Sequence, residues 1–148
     1  MIIQYPDDRL RQISSPVNDL GEAKFVVETL QKTLKKSGGV ALSAIQIGTP
    51  LRIAVFGPEI TDDQGRFVPH MLNPVILTTA KKSKRREGCL SFRNYFIDVI
   101  ANVDVTAQWE TLSGEQKTAR FVGLSAQAVS HEIDHMDGRL MIDREVKP

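Results

Sequence analysis

The chain has 148 residues, a length that suits one domain over residues 1–148 with a single hydrophobic core. A net charge of +1 and a 25% share of charged residues exclude a general attraction to nucleic acid or acidic membranes. The single cysteine cannot form an internal disulfide, and no signal peptide or apolar run of about 20 residues is present, so we expect a cytoplasmic monomer without membrane association.

The predicted elements begin with an arm over residues 1–17, which two prolines keep extended or turning. A helix is predicted over residues 22–36, where apolar side chains recur at four-residue steps before two glycines end the pattern. The apolar positions of this helix are Val26, Leu30 and Leu34, with Phe25 beside them.

Strand patterns occupy the middle of the chain. Residues 52–56 form a short β-branched run, and residues 68–79 form a longer one that two prolines interrupt. The clearest strand is predicted over residues 96–109, where apolar residues alternate with polar or small ones. Residues 117–122 are predicted to pair back with it as a hairpin.

A second helix is predicted over residues 124–136. Its four candidate face residues, spaced so that they share one apolar side, are Leu124, Ala128, His131 and His135. The order of helix, antiparallel strands and helix predicts an α+β fold, with antiparallel sheets packed around the central C-terminal helix.

The sequence His-Glu-Ile-Asp-His, from His131 to His135, gives the strongest chemical indication. Residues four apart on a helix lie one turn above each other, so both imidazoles can bind one cation. Glu132 can then act on a water at that cation. The alternative is a buried helix with two incidental histidines, but an unpaired buried imidazole is costly. His70 is interpreted as a surface or turn residue.

A catalytic metal site also needs a third protein ligand and an open position for water. Downstream of His135 the chain offers only three carboxylates, whereas Cys89 lies upstream in Glu-Gly-Cys-Leu-Ser. A lone cysteine is more often a small buried residue, but Gly88 before it permits close backbone approach. One thiolate, two imidazoles and a water form a tetrahedral set for zinc or ferrous iron.

Taken together, these motifs resemble those of the peptide deformylase family. The family's Gly-rich stretch is similar to residues 39–46, its cysteine motif to residues 87–91 and its histidine motif to residues 130–135. Residues 5–11 and 72–74 also resemble family elements, so the resemblance covers nearly the whole chain.

The resemblance implies a hydrolase that removes the formyl group from N-terminal formyl-methionine of nascent polypeptides and releases formate. It implies Cys89, His131 and His135 as ligands of one divalent metal ion, commonly Fe(II), with Zn(II) or Ni(II) as alternatives. Glu132 would transfer the proton. The Gln46 amide and the Leu90 backbone N–H would stabilise the negative charge on the formyl oxygen. The implied substrate-binding residues are Val40, Ala41, Gly88, Leu124, Gln127 and Ala128.

The chain departs from the family pattern at several positions. Ala41 replaces a glycine and disfavours a positive φ, and Ser130 replaces the glutamine before the first metal histidine. No arginine occurs between Arg93 and Arg120, where the family carries one in the strand after the cysteine motif. The chain also ends soon after the second helix, as in compact family members, phage-encoded ones included.

Two other functions remain open at this point. An endopeptidase with the same histidine motif would cleave internal peptide bonds and would be indifferent to replacement of Cys89. A metal-binding homologue without turnover would bind peptides as a binding module, and the departures from the family pattern give it some weight beside the deformylase interpretation.

A basic segment lies between Lys81 and Arg86, where five of six residues are lysine or arginine. We interpret it as a solvated loop. The alternatives are that it contacts ribosomal RNA phosphates near the nascent chain, or that Arg85 or Arg86 steers the peptide in place of the missing arginine.

Overall fold

Two helices and five strands form the fold in the computed structural model, which describes residues 1–147. In chain order they are α1 (Leu20–Ser37), β1 (Ala41–Ser43), β2 (Ile53–Phe56), β3 (His70–Cys89), β4 (Phe92–Glu110), β5 (Gln116–Val122) and α2 (Gly123–Met136). Short 3-10 helices lie at Asp8–Arg11, Ala44–Ile47 and Met141–Arg144. None of the described helices is long and apolar enough to cross a membrane.

The strands form one antiparallel sheet in the order β1-β2-β3-β4-β5. Long strands β3 and β4 pair along almost their whole length, from Leu72 opposite Glu110 to Cys89 opposite Phe92. Strand β2 pairs only with residues 70–72 of β3, so among the described strands none covers that edge of β3 from residue 75 onward. The sheet therefore leaves one long backbone edge open.

Helix α1 follows the predicted pattern. The Asp19 side chain accepts hydrogen bonds from the N–H groups of Gly21 and Glu22, and left-handed Gly38 ends the helix. The predicted positions Val26, Leu30 and Leu34 are buried against β1, β2 and β3. Phe25 is 71% exposed, so its assignment to this apolar face was wrong. It lies outside the stripe that repeats every fourth residue.

Helix α2 lies in the centre of the molecule and confirms the α+β prediction. Its residues Ala126, Val129 and Ile133 share a core with Trp109 of β4 and Phe121 of β5. Burial on several sides explains why a helix of only moderate amphipathicity is stable here. The first turn is the exception, because Leu124 is half exposed and does not face the core as predicted.

Three other predictions need correction. The segment between Lys81 and Arg86 is part of β3 and not a loop, because it pairs with residues 98–104 of β4. His70 begins β3, where its Nε2 accepts a hydrogen bond from the Leu112 N–H at 3.1 Å. Ala41 lies in the extended strand β1 and does not have a positive φ, so its side chain causes no backbone strain there.

Gly138 closes the turn after α2 against the N-terminal arm, with φ at +73°. An added Cβ would overlap the carbonyl oxygen of Arg11. We expect Gly138→Ala to lower the free energy of unfolding by about 3 kcal/mol, from backbone strain and overpacking together. Gly65→Ala is the control, because Gly65 also has positive φ but faces open space, and should cost about 1 kcal/mol. Urea unfolding of both variants measures the difference, and equal losses would contradict the packing argument.

Candidate active site

Three potential metal-binding side chains converge between β3 and α2. Cys89 ends β3, and its Sγ lies 3.4 Å from Nε2 of His135. The Nε2 atoms of His131 and His135 are 3.1 Å apart, since the residues stand one turn apart on α2. All three donor atoms lie within 4.8 Å of one another. The cluster can therefore hold one metal ion.

The donor set of the cluster fits a soft or borderline divalent cation. Burial would lower the pKa of His131, but the neighbouring Cys89 and Glu87 raise it well above its usual value, so His131 releases a proton when it binds a metal. Burial, together with the neighbouring His131, lowers the pKa of His135 well below its usual value. The neutral imidazole is the form that binds metals. Nε2 of His135 is the nitrogen that faces the Cys89 thiol. Its Nδ1 is buried without a hydrogen-bond partner among the described residues. A thiolate with two neutral imidazoles is a donor set suited to zinc or ferrous iron.

Glu87 fixes the orientation of His131 from behind. Its Oε2 accepts a hydrogen bond from Nδ1 of His131 at 2.6 Å, and its Oε1 accepts one from Nε2 of Gln127 at 3.0 Å. Burial alone would raise the pKa of Glu87, but His131 and Arg144 together lower it to about 2. An ionised carboxylate at Nδ1 turns the lone pair of Nε2 toward the cluster, as in many metal sites.

Arg144 holds Glu87 in turn, from the 3-10 helix after α2. Its Nη2 lies 2.6 Å from Oε2 of Glu87, and its Nε lies 3.1 Å from Oδ2 of Asp134. Its Nη1 also donates to the backbone carbonyl of Ile100 on β4 at 3.3 Å. Sequence reasoning missed Arg144 because it belongs to no motif. The one available indication was that no arginine occurs between Arg93 and Arg120, where the family carries one.

Glu132 and Gln46 stand on the cavity side of the cluster. Glu132 is 3% exposed, and its Oε1 has no hydrogen-bond partner in residues 1–147. Burial is the main cause that raises the pKa of Glu132 to about 7. Oε1 of Gln46 accepts hydrogen bonds from the N–H and Oγ of Ser43, which directs Nε2 toward Ser91 Oγ at 3.0 Å and Cys89 Sγ at 3.6 Å. Gln46 is thus a buried, oriented amide rather than an exposed one.

A cavity of about 790 Å³ opens over this cluster. Every predicted substrate-binding residue lines it: Val40, Ala41, Gly88, Leu124, Gln127 and Ala128. Leu90, Gln46 and Glu132 line it as well, whereas His135 lies beneath His131 and is almost fully buried. Phe96 was not predicted, although its ring packs directly over Gly88. Its place depends on strand pairing, which the sequence does not show.

The departures from the family pattern are accommodated locally. The Ser130 side chain is buried and accepts a hydrogen bond from Nδ2 of Asn102 at 3.2 Å. Gln4 of the N-terminal arm donates to the Leu90 carbonyl at 2.8 Å and steadies the turn after Cys89. This contact with the arm also escaped sequence reasoning, because 86 residues separate its partners.

Comparison with known proteins gives a consistent result. A family model described as polypeptide deformylase matches residues 1–148. The peptide deformylase of Novosphingobium aromaticivorans is 34% identical over 96% of this chain and 86% of its own length. The peptide deformylase of Afipia carboxidovorans is also 34% identical, over 96% of this chain and 84% of its own length.

Solved structures agree with the sequence comparison. The crystal structure of peptide deformylase from Thermotoga maritima has a TM-score of 0.89 at 29% identity, covering 99% of this chain and 97% of that one. A Plasmodium falciparum peptide deformylase in complex with an inhibitor has a TM-score of 0.88 at 29% identity, covering 99% and 90% of the chains.

The contacts of Arg144 predict an effect on metal affinity. Arg144→Leu removes the cation that fixes Glu87, so His131 should lose its fixed orientation. We expect the dissociation constant for Zn(II) to rise about 10-fold or more. Competition with a chromogenic chelator measures it. Arg120→Leu is the control, because Arg120 also pairs with a carboxylate, Asp104, but lies on β5 away from the cluster. Equal affinities in wild type and Arg144→Leu, with both folded, would exclude this role.

Proposed function

The chain belongs to the peptide deformylase family and is a hydrolase, and we propose that it removes the formyl group from N-terminal formyl-methionine of nascent polypeptides, in a metal-dependent reaction that releases formate. The observation that carries this proposal is the convergence of Cys89, His131 and His135 beside Glu132, at the base of one cavity. Cys89 comes from β3 and the other three residues from α2, so the meeting of the thiol with the histidines is not a consequence of local sequence.

We propose that Cys89, His131 and His135 hold one divalent ion, Fe(II) in the native protein, with Zn(II) or Ni(II) able to take its place. The mixed sulfur and nitrogen donors support a borderline divalent ion of this kind, and the choice of Fe(II) among the three rests on the family resemblance. Such an ion, when bound, polarises a carbonyl and lowers the pKa of a water molecule. Glu87 and Arg144 contribute by holding His131 in the orientation that binds.

Glu132 is the residue to which we assign proton transfer. Its Oε1 has no hydrogen-bond partner among the described residues, and Glu132 lines the cavity together with Cys89 and His131, where its carboxylate can accept a proton from the attacking water. The water oxygen then bonds to the formyl carbon and the carbon–nitrogen bond breaks. The same carboxyl group returns the proton to the leaving amine, which leaves formate and a free N-terminus.

Gln46 and Leu90 are assigned to the formyl oxygen, where negative charge develops. Ser43 restrains the Gln46 amide, so its Nε2 is oriented before the substrate arrives. A donor that needs no reorientation stabilises the transition state by about 3 kcal/mol. The backbone N–H of Leu90 would supply a second donor from the turn that follows Cys89.

The cavity walls suit a methionine side chain followed by an extended peptide. Leu124 and Ala128 give one apolar wall, with Gln127 between them, and Val40 and Ala41 give another. Gly88 lies on the edge of β3 that no strand covers, where a peptide can add main-chain hydrogen bonds. This arrangement supports recognition of an N-terminal residue more than cleavage within a chain.

The two alternatives make different predictions. An endopeptidase would not need Cys89, yet the thiol lies in contact distance of His135. A silent binding module is disfavoured by the way the departures are accommodated, since Ala41 is extended and Ser130 is hydrogen-bonded. Turnover distinguishes all three.

The decisive test is formate release from a formyl-methionyl tripeptide by protein loaded with Fe(II) without oxygen, or with Ni(II). We expect Glu132→Ala to lower kcat about 10²- to 10⁴-fold while one metal per chain remains bound. Glu115→Ala, in the exposed turn before β5, is the control and should retain full activity. Cys89→Ser should lose the metal itself. A metal-loaded wild type that binds peptide without releasing formate would instead be the binding module.

We further propose that the basic residues of β3 bring the protein to the ribosome. Lys81, Lys82 and Lys84 are exposed, and Arg86 is 68% exposed, so the segment presents positive charge to solvent. Contacts between lysine and phosphate release counterions and weaken steeply with salt.

Co-sedimentation with ribosomes at several salt concentrations tests this contact. The double variant Lys82→Gln/Lys84→Gln should sediment less and lose about two units of the salt-dependence slope. Lys35→Gln/Lys36→Gln is matched in charge, because both lysines are exposed in the last turn of α1. If both double variants sediment like wild type, the contact does not exist.

A further inference from the structure

The mouth of the active-site cavity carries positive charge that the proposed chemistry does not use. Arg86 of β3 and Arg93 of β4 both line the cavity. Apart from the partly buried thiol of Cys89, the other ionisable side chains of the lining, Glu87, His131 and Glu132, are buried. Glu87 is neutralised by Arg144. The exposed side-chain charges around the opening are therefore both cationic.

Neither guanidinium has a full counter-charge. Nη1 of Arg86 lies 3.8 Å from Asp98, and Nζ of Lys84 lies 3.9 Å from the same carboxylate, so two cations share one distant anion. Arg93 forms no ion pair with any residue in the described range 1–147. Its backbone N–H is held by Oε1 of Gln4 at 3.3 Å, which leaves the side chain free.

The fold places Arg93 on a bulge beside the opening. Cys89 pairs with Phe92 and Gly88 pairs with Phe96, so residues 93–95 have no partners on β3. Asn94 within the bulge has a left-handed φ of 57°, which bends the strand at this point. The bulge therefore places the Arg93 side chain at the mouth of the cavity. Regular strand pairing would have placed it along the sheet.

Arg86 lies on the part of β3 that the third residue of a bound peptide would reach. Gly88 and Arg86 are two residues apart on β3 and so share one face of the strand. Three residues of strand, from Cys89 to Arg86, span about 10 Å. A peptide with its formyl group at Cys89 that extends along the open edge reaches Arg86 at about its third residue.

We propose that Arg86 and Arg93 form an anion-binding subsite at the cavity mouth, which favours formylated peptides with aspartate or glutamate at the third position. This inference rests on the proposed deformylase function, because it takes the formyl group to lie at Cys89. The two guanidiniums attract a carboxylate and repel a lysine at the same position. Since the subsite is remote from the reacting atoms, the preference belongs to KM rather than to kcat.

Three amidated tripeptides test the subsite: formyl-Met-Ala-Asp, formyl-Met-Ala-Asn and formyl-Met-Ala-Lys. Amidation removes the terminal carboxylate, which would otherwise give every peptide an anion at the same place. We expect kcat/KM for the aspartate peptide to exceed that for its near-isosteric asparagine peptide about two- to fivefold, as for an exposed ion pair. The lysine peptide should be the poorest substrate. About 1 M NaCl, where the Debye length is about 3 Å, should remove the difference.

Variants of the two arginines test whether they cause the preference for the aspartate peptide. In Arg86→Gln/Arg93→Gln the ratio between the aspartate and asparagine peptides should fall to about one. Lys24→Gln is the control, because Lys24 is exposed on α1 and does not line the cavity, and it should keep the wild-type ratio. A wild-type ratio of one or less, or a ratio that survives in the double variant, would overturn the subsite while the deformylase function stands.

The same peptides separate a failure of the subsite from a failure of the function. If none releases formate, the deformylase proposal fails, and calorimetric titration of the three peptides into the metal-loaded protein decides the subsite alone. Tighter binding of the aspartate peptide that depends on both arginines would support the subsite in a binding module. Equal binding of all three would overturn it.

Discussion

Glu87 carries a negative charge in a place that water scarcely reaches, between β3 and α2. A buried carboxylate remains ionised only when cations and hydrogen-bond donors surround it. Here the donors come from two parts of the chain: His131 and Gln127 from α2, and Arg144 from the 3-10 helix that follows. The geometry of the metal cluster depends on this arrangement, because the bond from His131 to Glu87 decides which imidazole nitrogen faces Cys89.

The same constraint shows why the site could be only partly predicted from sequence. His131, Glu132 and His135 are related by helical spacing, so their shared position follows from local structure. Cys89 reaches them only because β3 ends beside α2, which no local pattern reveals. The need for a third ligand pointed to the lone cysteine, and the resemblance to a known family supported that choice. Arg144 fell outside both kinds of argument, since its partner is 57 residues away and it belongs to no motif.

The fold shows a similar division. Alternation in β4 and the four-residue repeat in α1 are direct consequences of burial on one face, so both elements were predicted with nearly correct bounds. The basic part of β3 was mistaken for a loop because its side chains are mostly exposed and carry no alternation. Pairing with β4 holds it extended, through backbone hydrogen bonds that depend little on side-chain type.

The charges on β3 also bear on how the sheet can leave an edge open without aggregating. An uncovered strand edge exposes unpaired N–H and C=O groups to other chains, and lysine is a common means of blocking such contacts. Between Lys81 and Arg86 the edge of β3 is charged and exposed. The Gln127 side chain donates a hydrogen bond to the backbone carbonyl of Arg86. From Gly88 onward the edge lies inside the cavity. Lysine thus protects the part of the edge between Lys81 and Lys84, whereas from Gly88 onward the cavity limits access to a narrow, extended chain end. The distribution of charge along β3 can thus prevent unspecific pairing with other chains and still leave room for a peptide terminus.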